Sequence, residues 1–128
     1  MMLISSFSII GVLVTGAAQA APTPLSVSLK CIAALEYPDA FSESDAGVAE
    51  ARVAWRQTLG VMEPDLVRQS RLLGYYREGL DSVGVVDPRI SVRLARLDVQ
   101  ENGCLSVEAQ TAIRSRAVSQ AAETKDGA

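Results

Sequence analysis

Four carboxylates within ten residues are the first group of side chains that could do chemistry. Glu36, Asp39, Glu43 and Asp45 lie in the segment EYPDAFSESD. Paired carboxylates can divide acid and base roles, and clustered oxygens can hold a calcium ion. Because the segment lacks the D-x-D-x-D-G spacing of a calcium loop, we interpret it as a solvated acidic connector and leave ion binding there as the alternative.

The absence of histidine restricts the chemistry further. The chain has no histidine, and histidine is the commonest general base and metal ligand. Ser-His-Asp triads and imidazole-ligated zinc sites are therefore excluded. The motifs G-x-S-x-G and S-x-x-K and the phosphate-binding glycine loops are missing as well. We predict a protein that is not an enzyme and holds no cofactor or metal ion.

The residues that could bind a partner are arginines and tyrosines. Arg89, Arg93 and Arg96 repeat at i, i+4 and i+7, and Tyr75 and Tyr76 are adjacent. Guanidinium groups bind carboxylates, phosphates or anionic head groups, although a solvated helix face is the alternative. Adjacent helical side chains point about 100° apart, so we expect one tyrosine at the surface, where tyrosine and arginine often dominate binding.

Charge indicates which kind of partner these residues could have. The formal net charge is −3, which argues against a protein built to bind nucleic acid. A membrane-surface protein would carry more basic and aromatic residues. We therefore expect another protein as the partner, and the oligomeric state stays open.

The first residues of the chain form an uncharged, apolar segment. Residues 1–20 contain no charged side chain and end in Ala18-Gln19-Ala20, the A-x-A pattern of signal-peptidase sites. The apolar core is too short to span about 30 Å of hydrocarbon, although no lysine or arginine precedes it. We predict a signal peptide over residues 1–20, cleaved after Ala20, and a periplasmic or secreted protein without stable membrane insertion. An uncleaved anchor is the alternative.

Export would place the two cysteines in an oxidising compartment, where they can form a disulfide. Cys31 and Cys104 are the only cysteines, and an even count in an oxidising compartment predicts a structural disulfide. A redox-active pair would normally have the spacing C-x-x-C, which is absent. Closing a loop of about seventy residues would contribute about 4 kcal/mol. Two buried free thiols are the alternative.

Apolar spacing predicts helices over residues 25–122, after an extended spacer over 21–24 and before a polar, disordered tail over 123–128. Apolar spacing places the first helix start, and proline and capping residues place the other four. The predicted helices start at Leu25, at Ser44, at Glu63-Pro64-Asp65, at Asp87-Pro88 and at Ser106. The expected fold is an all-α array of four or five helices stapled by one disulfide.

The apolar spacing also predicts which residues face the core. In the second helix, Val48, Ala51, Trp55 and Leu59 form one stripe, with Gly60 as the expected C-cap. In the third helix, Leu66, Val67, Leu73 and Tyr76 are expected to share a buried face. In the fourth, Ile90, Leu94 and Leu97 lie at i, i+4 and i+7 and are expected to face the core. Residues 90–99 could also form a strand, because Ile90, Val92 and Leu94 alternate, but the Asp-Pro start favours a helix.

The chain combines an export segment with about a hundred residues of predicted helices and one disulfide. In size and class it is similar to the small periplasmic acid-stress chaperones of enteric bacteria. The similarity implies a holdase that responds to acid. Without histidine, such a response would depend on carboxylates that titrate near pH 4 or below. Our first expectation is a non-enzymatic interaction protein, an adaptor, inhibitor or accessory subunit, and the acid-stress holdase is the alternative.

Overall fold

The computed structural model describes residues 22–127, with side chains up to residue 124. Within this range it contains five helices and no strand, so the all-α prediction is confirmed. The predicted signal peptide lies outside the described residues. The helices are α1 (Pro24–Leu35), α2 (Val48–Met62), α3 (Leu66–Ser82), α4 (Pro88–Glu101) and α5 (Val107–Gly127).

Helix α1 lies at the centre of the fold and is contacted by each of the other four helices. Its sequence PLSVSLKCIAAL is apolar or small on nearly every side, as expected of a helix that is buried all round. Thr23 caps its start in a reciprocal arrangement with Ser26, and Pro24 occupies the first turn. The spacer predicted over residues 21–24 therefore already contributes the first residue of α1.

The core stripe predicted for α2 is confirmed. Val48, Ala51, Trp55 and Leu59 are all fully buried. The predicted disulfide is confirmed too, since Cys31 of α1 is bonded to Cys104 in the turn before α5, with a Cα–Cα distance of 5.5 Å. The disulfide therefore staples the central helix to the last one.

Both predicted ends of α2 are wrong. Ser44 is not its cap, because Asp45 accepts a 2.8 Å hydrogen bond from the backbone N–H of Ser42 and closes a local turn. The N-cap is Gly47, whose φ of 81° is left-handed. At the other end the helix continues past Gly60 to Met62, since the buried Thr58 and Leu59 hold this turn against the core.

The remaining helices differ from the predictions mainly at their ends. Asp65 is the N-cap of α3 and Pro64 lies outside that helix. The buried face predicted for α3 is wrong for Leu66 and Val67, which are 75% and 68% exposed in its first turn, whereas Leu73 and Tyr76 pack partly buried against the core. The segment 90–99 is helical, because Asp87 caps α4 and Pro88 takes its first position. The bounds of α5 include residues 123–127 of the predicted tail; each residue added to an existing helix gains a backbone hydrogen bond, whereas starting a new helix is costly.

Candidate partner-binding surface on helix α4

Helix α4 packs against the core with small residues rather than with its large apolar ones. Ser91, Ala95 and Val99 are its buried residues, at i, i+4 and i+8. Ile90 and Leu97 are 42% and 45% exposed, so the prediction that they face the core is wrong. Leu94 lies between the two faces and is partly buried. We call Ile90, Leu94 and Leu97 the α4 ridge.

The reason for this orientation is a close approach at the turn between α3 and α4. The hydroxyl of Ser91 donates a hydrogen bond to the backbone carbonyl of Leu80 at 2.5 Å. A Cβ atom added to Gly84 would lie 2.1 Å from Ser91 Oγ and 3.3 Å from Pro88 Cα. Only small residues fit here, so the face of α4 with small side chains turns inward and the outer residues of the α4 ridge, Ile90 and Leu97, turn outward.

The turn that leads into α4 is also apolar and exposed. Val85 and Val86 are 81% and 96% exposed and immediately precede the Asp87 cap. Scattered single apolar residues at a surface are normal, but a run of them followed by an exposed helical stripe is typical of an interaction site.

The three arginines predicted to bind a partner have three different environments. The guanidinium of Arg89 forms two 3.0 Å hydrogen bonds with the carboxylate of Asp87. These bonds, and the backbone N–H of Arg89, hold the pKa of Asp87 below its usual value, with a smaller contribution from the charge of Arg93. The charge of Arg89 is thus neutralised by Asp87, and the pair holds the N-cap carboxylate at the start of α4.

Arg96 is an anchor for the connector between α1 and α2. Its Nε donates to the carbonyl of Ala40 at 3.0 Å, and its Nη2 donates to the carbonyl of Asp39 at 3.4 Å. These acceptors are neutral, so the positive charge of Arg96 is not cancelled by them. Asp39 has a φ of 68°, a left-handed conformation that aspartate tolerates better than most residues.

Arg93 is exposed, and among the described residues it forms no ion pair and no side-chain hydrogen bond. It lines a cleft of about 450 Å³ between the connector and α4. We call this the arginine cleft. Its lining residues are Asp39, Pro88, Arg89, Val92, Arg93 and Arg96.

The two candidate tyrosines lie on α3 and differ in burial. Tyr75 is 73% exposed, whereas Tyr76 is partly buried and packs against the core. Their rings meet edge to face, with centroids 5.9 Å apart and planes at 82°. Tyr75 is therefore the member of the pair that a partner could reach, and Tyr76 has a role in packing.

Three of the four carboxylates in the acidic connector have partners within the described part of the chain. Glu36 accepts two hydrogen bonds from Arg56, at 3.0 and 2.6 Å, and Glu43 pairs with Arg52 at 3.7 Å. Asp45 closes the turn described above. Among the described residues, no group of three or more histidine, cysteine, aspartate or glutamate side chains could hold a metal ion.

Sequence reasoning did not identify Arg52, the structural role of Arg96 or the outward orientation of Ile90 and Leu97. Arg52 donates from Nε and Nη2 to the carbonyl of Leu35, at 3.0 and 2.7 Å, and so completes the end of α1 as Arg96 completes the connector. The spacing of Ser91, Ala95 and Val99 was the available signal for the true inner face of α4, since small residues at i, i+4 and i+8 permit close packing.

Comparisons with known proteins do not assign the chain to a family. No protein-family model matches it, and no curated protein and no solved structure matches it significantly. Within residues 22–127, none of the helices combines the length and apolar character needed to cross a lipid bilayer.

Proposed function

We propose that the protein is an exported, non-enzymatic interaction protein, an adaptor, inhibitor or accessory subunit, that binds another protein through the outer face of α4. The observation that carries the proposal is the outward orientation of Ile90 and Leu97, which are nearly half exposed although their spacing is that of a core face. An amphipathic helix that leaves its larger apolar residues uncovered resembles the helices that dock into grooves of partner proteins.

The charges beside the α4 ridge favour a protein with an acidic, apolar segment as the partner. Arg93 lies between the ridge and Arg96 around the helix and has no carboxylate partner among the described residues. Burying the ridge against a partner would desolvate Arg93, so a carboxylate opposite it would be needed. The partner we propose therefore combines apolar side chains with carboxylates.

Export to the periplasm or beyond is part of the proposal. It is supported by the apolar, uncharged residues 1–20 and their A-x-A ending, and by a disulfide between two fully buried cysteines. The mass of the protein recovered from an exporting bacterial host tests it. We expect a chain that begins at Ala21 and lacks two hydrogens because of the bond. An intact Met1 would contradict cleavage after Ala20, and two free thiols would contradict export into an oxidising compartment.

The test of binding uses the full chain with a C-terminal affinity tag, cross-linked in the cells that express it. We expect at least one protein that is recovered with the unchanged chain and is depleted about tenfold or more by Leu97→Ser. Leu66→Ser is the matched control, since Leu66 is another leucine, 75% exposed, on α3. Both variants should remain folded and lose less than about 1 kcal/mol of stability, because neither side chain is in the core.

If no protein shows recovery that depends on Leu97 and not on Leu66, the proposal fails. A protein that is recovered equally with all three chains does not support it, since such a contact does not involve the α4 ridge.

An acid-stress holdase is the second candidate, and the exposed Val85 and Val86 are the observation that favours it. A holdase needs apolar surface for unfolded clients. Apolar dye binding and suppression of client aggregation should then appear below about pH 4, where carboxylates lose their charge. A protein that binds no more dye at pH 3 than at pH 7 is not such a chaperone.

A further inference from the structure

We infer that the arginine cleft binds a carboxylate of the partner protein, an aspartate or glutamate side chain or a C-terminal carboxylate. The inference rests on the proposed function, because it names the chemical group that the partner places beside the α4 ridge. The cleft lies between the connector and α4 and is lined by three arginines and one acid, with a half-buried Val92 among them.

The charges in the cleft do not cancel. The charge of Arg89 is neutralised by Asp87. Arg96 donates two hydrogen bonds to the carbonyls of Ala40 and Asp39, which carry no charge. Arg93 has no ion pair among the described residues. Two guanidinium charges therefore face a single lining carboxylate, that of Asp39, and the cleft is locally positive on a chain whose net charge is −3.

The two available guanidinium groups are suitably placed for one small anion. Arg93 and Arg96 are three residues apart on one helix, and such pairs are neighbours on a helix surface. Arg96 is held in position by its bonds from Nε and Nη2, while its Nη1 has no hydrogen-bond partner within the described part of the chain. A side chain that is already ordered loses little entropy when it binds, and a planar guanidinium matches the two oxygens of a carboxylate.

The surroundings favour a protein carboxylate over a polyanion. The acidic net charge repels nucleic acids and anionic membranes at a distance, and one locally positive cleft is too small to reverse that. Val92 and Pro88 supply an apolar wall for the methylene groups of a glutamate side chain. Leu97 and Ile90 follow on the same helix, so one partner segment could contact both the cleft and the ridge.

A nuclear magnetic resonance titration of the folded, exported protein tests the cleft directly. The probe is N-acetyl-glutamate N-methylamide, which carries one carboxylate, and the corresponding glutamine compound is its uncharged control. We expect saturable shifts of the Nε–Hε signals of Arg93 and Arg96 and of the Val92 methyl groups, with a Kd of about 10 mM or lower. The glutamine compound should cause no such shifts.

Two variants with the same change of charge separate the cleft from the rest of the surface. Arg93→Gln should abolish the saturable shifts, whereas Arg71→Gln, at an exposed arginine on α3, should leave them unchanged. The inference would be overturned if the shifts do not saturate, or if the Nε–Hε signal of Arg71 shifts as much as those of Arg93 and Arg96. Stronger binding of inorganic phosphate or of a short single-stranded DNA than of the glutamate probe would also overturn it.

The cross-linking experiment distinguishes failure of this inference from failure of the proposed function. We expect Arg93→Gln to reduce recovery of the Leu97-dependent protein about tenfold or more. If that protein is recovered equally with Arg93→Gln, the ridge binds a partner but the cleft does not hold its carboxylate. If no Leu97-dependent protein exists, the proposed function itself has failed.

Discussion

The indole N–H of Trp55 donates a 2.8 Å hydrogen bond to the backbone carbonyl of Cys104, so the middle of α2 is joined to the turn that carries the disulfide. The same carbonyl accepts a 3.0 Å bond from the side-chain amide of Gln110 on α5. One buried oxygen therefore connects α2, the disulfide turn and α5.

Replacing the two donors should have a non-additive effect on stability. Trp55→Phe should lower the free energy of unfolding by about 1–3 kcal/mol, through the lost bond and the space left in the core. Gln110→Met alone should cost less, because Trp55 still satisfies the carbonyl. The double variant should lose about 1 kcal/mol more than the sum, since the carbonyl is then unpaired. Urea unfolding measures all three, and simple additivity would contradict the shared acceptor.

The disulfide should resist reduction until the protein unfolds. Cys31 and Cys104 are both fully buried, so a reductant reaches them only through an opened state. Mass analysis after thiol labelling should show slow reduction in buffer and fast reduction in denaturing urea. The variant Cys31→Ala/Cys104→Ala should be less stable by about 2–5 kcal/mol. Equally fast reduction with and without urea would mean that the bond is accessible in the folded protein.

Two glycine-to-alanine variants should change stability in opposite directions. Gly84→Ala should destabilise the protein by about 1–3 kcal/mol, since the new Cβ would lie 2.1 Å from Ser91 Oγ. Gly74→Ala should stabilise it by about 0.5–1 kcal/mol, because Gly74 is inside α3 and a Cβ there meets nothing within 4 Å.

A second change tests the cause of the Gly84 effect. Ser91→Ala in the Gly84→Ala background removes the hydroxyl but leaves Ser91 Cβ, which the added Cβ would approach to 3.0 Å. Ser91→Ala also removes the hydrogen bond to Leu80, so thermal unfolding should show that Gly84→Ala costs less when residue 91 is alanine than when it is serine. If Gly84→Ala is neutral, the close approach that turns the α4 ridge outward is not present.

Truncation of two leucines should separate the core from the α4 ridge. Leu35→Ala, at a fully buried position of α1, should cost about 2–5 kcal/mol. Leu97→Ala should cost less than about 1 kcal/mol, because that side chain is already 45% exposed. Chemical unfolding of the two variants gives the comparison, and similar losses would restore the prediction that Leu97 belongs to the core.

Asp98 on α4 should make the free energy of unfolding depend on pH. Burial raises the pKa of this carboxyl, partly opposed by the charge of Lys30. The folded state thus holds the proton at a higher pH than the unfolded state does, so Asp98 destabilises the folded protein above its folded pKa, and the penalty disappears as the pH falls below about 3.8.

The variant Asp98→Asn tests this sign. Because the carboxyl is only partly buried, we expect a gain of about 0.5 kcal/mol at pH 7 and no gain at pH 3. Stability measured by urea unfolding at both values provides the check. A gain that is larger at pH 3 would show that the carboxylate is stabilised in the folded protein.

Predictions from the sequence were most accurate where the physical cause is local. The start of α4 depends on Asp87 and Pro88, and the start of α5 on Ser106, whose hydroxyl accepts a 3.1 Å hydrogen bond from the backbone N–H of Ala109. Caps and prolines act within one turn of the helix. The exceptions are also local. Asp45 closes a turn with Ser42 instead of entering α2, because two local hydrogen-bonding patterns compete for the same side chain.

The candidate partner residues could be selected from the sequence, but their roles could not. Arg89 differs locally from the other two, because Asp87 lies two residues before it, but no local rule distinguishes Arg93 from Arg96. Their roles depend on the Asp87 carboxylate and on carbonyls more than fifty residues away in the chain. Tyr75 and Tyr76 were separable in principle, since two adjacent helical residues cannot share a face, but which of them packs inward depends on the neighbours of α3.

The sequence by itself determined the helical class, most of the helix starts and the pairing of its two cysteines, because these follow from short-range backbone preferences and from an even count. Tertiary structure decided which face of α4 is buried. The apolar period indicated Ile90, Leu94 and Leu97, but the approach of Gly84 to Ser91 leaves no room for large side chains. Close packing therefore overrode the hydrophobic pattern, and the surface proposed for partner binding follows from that steric limit.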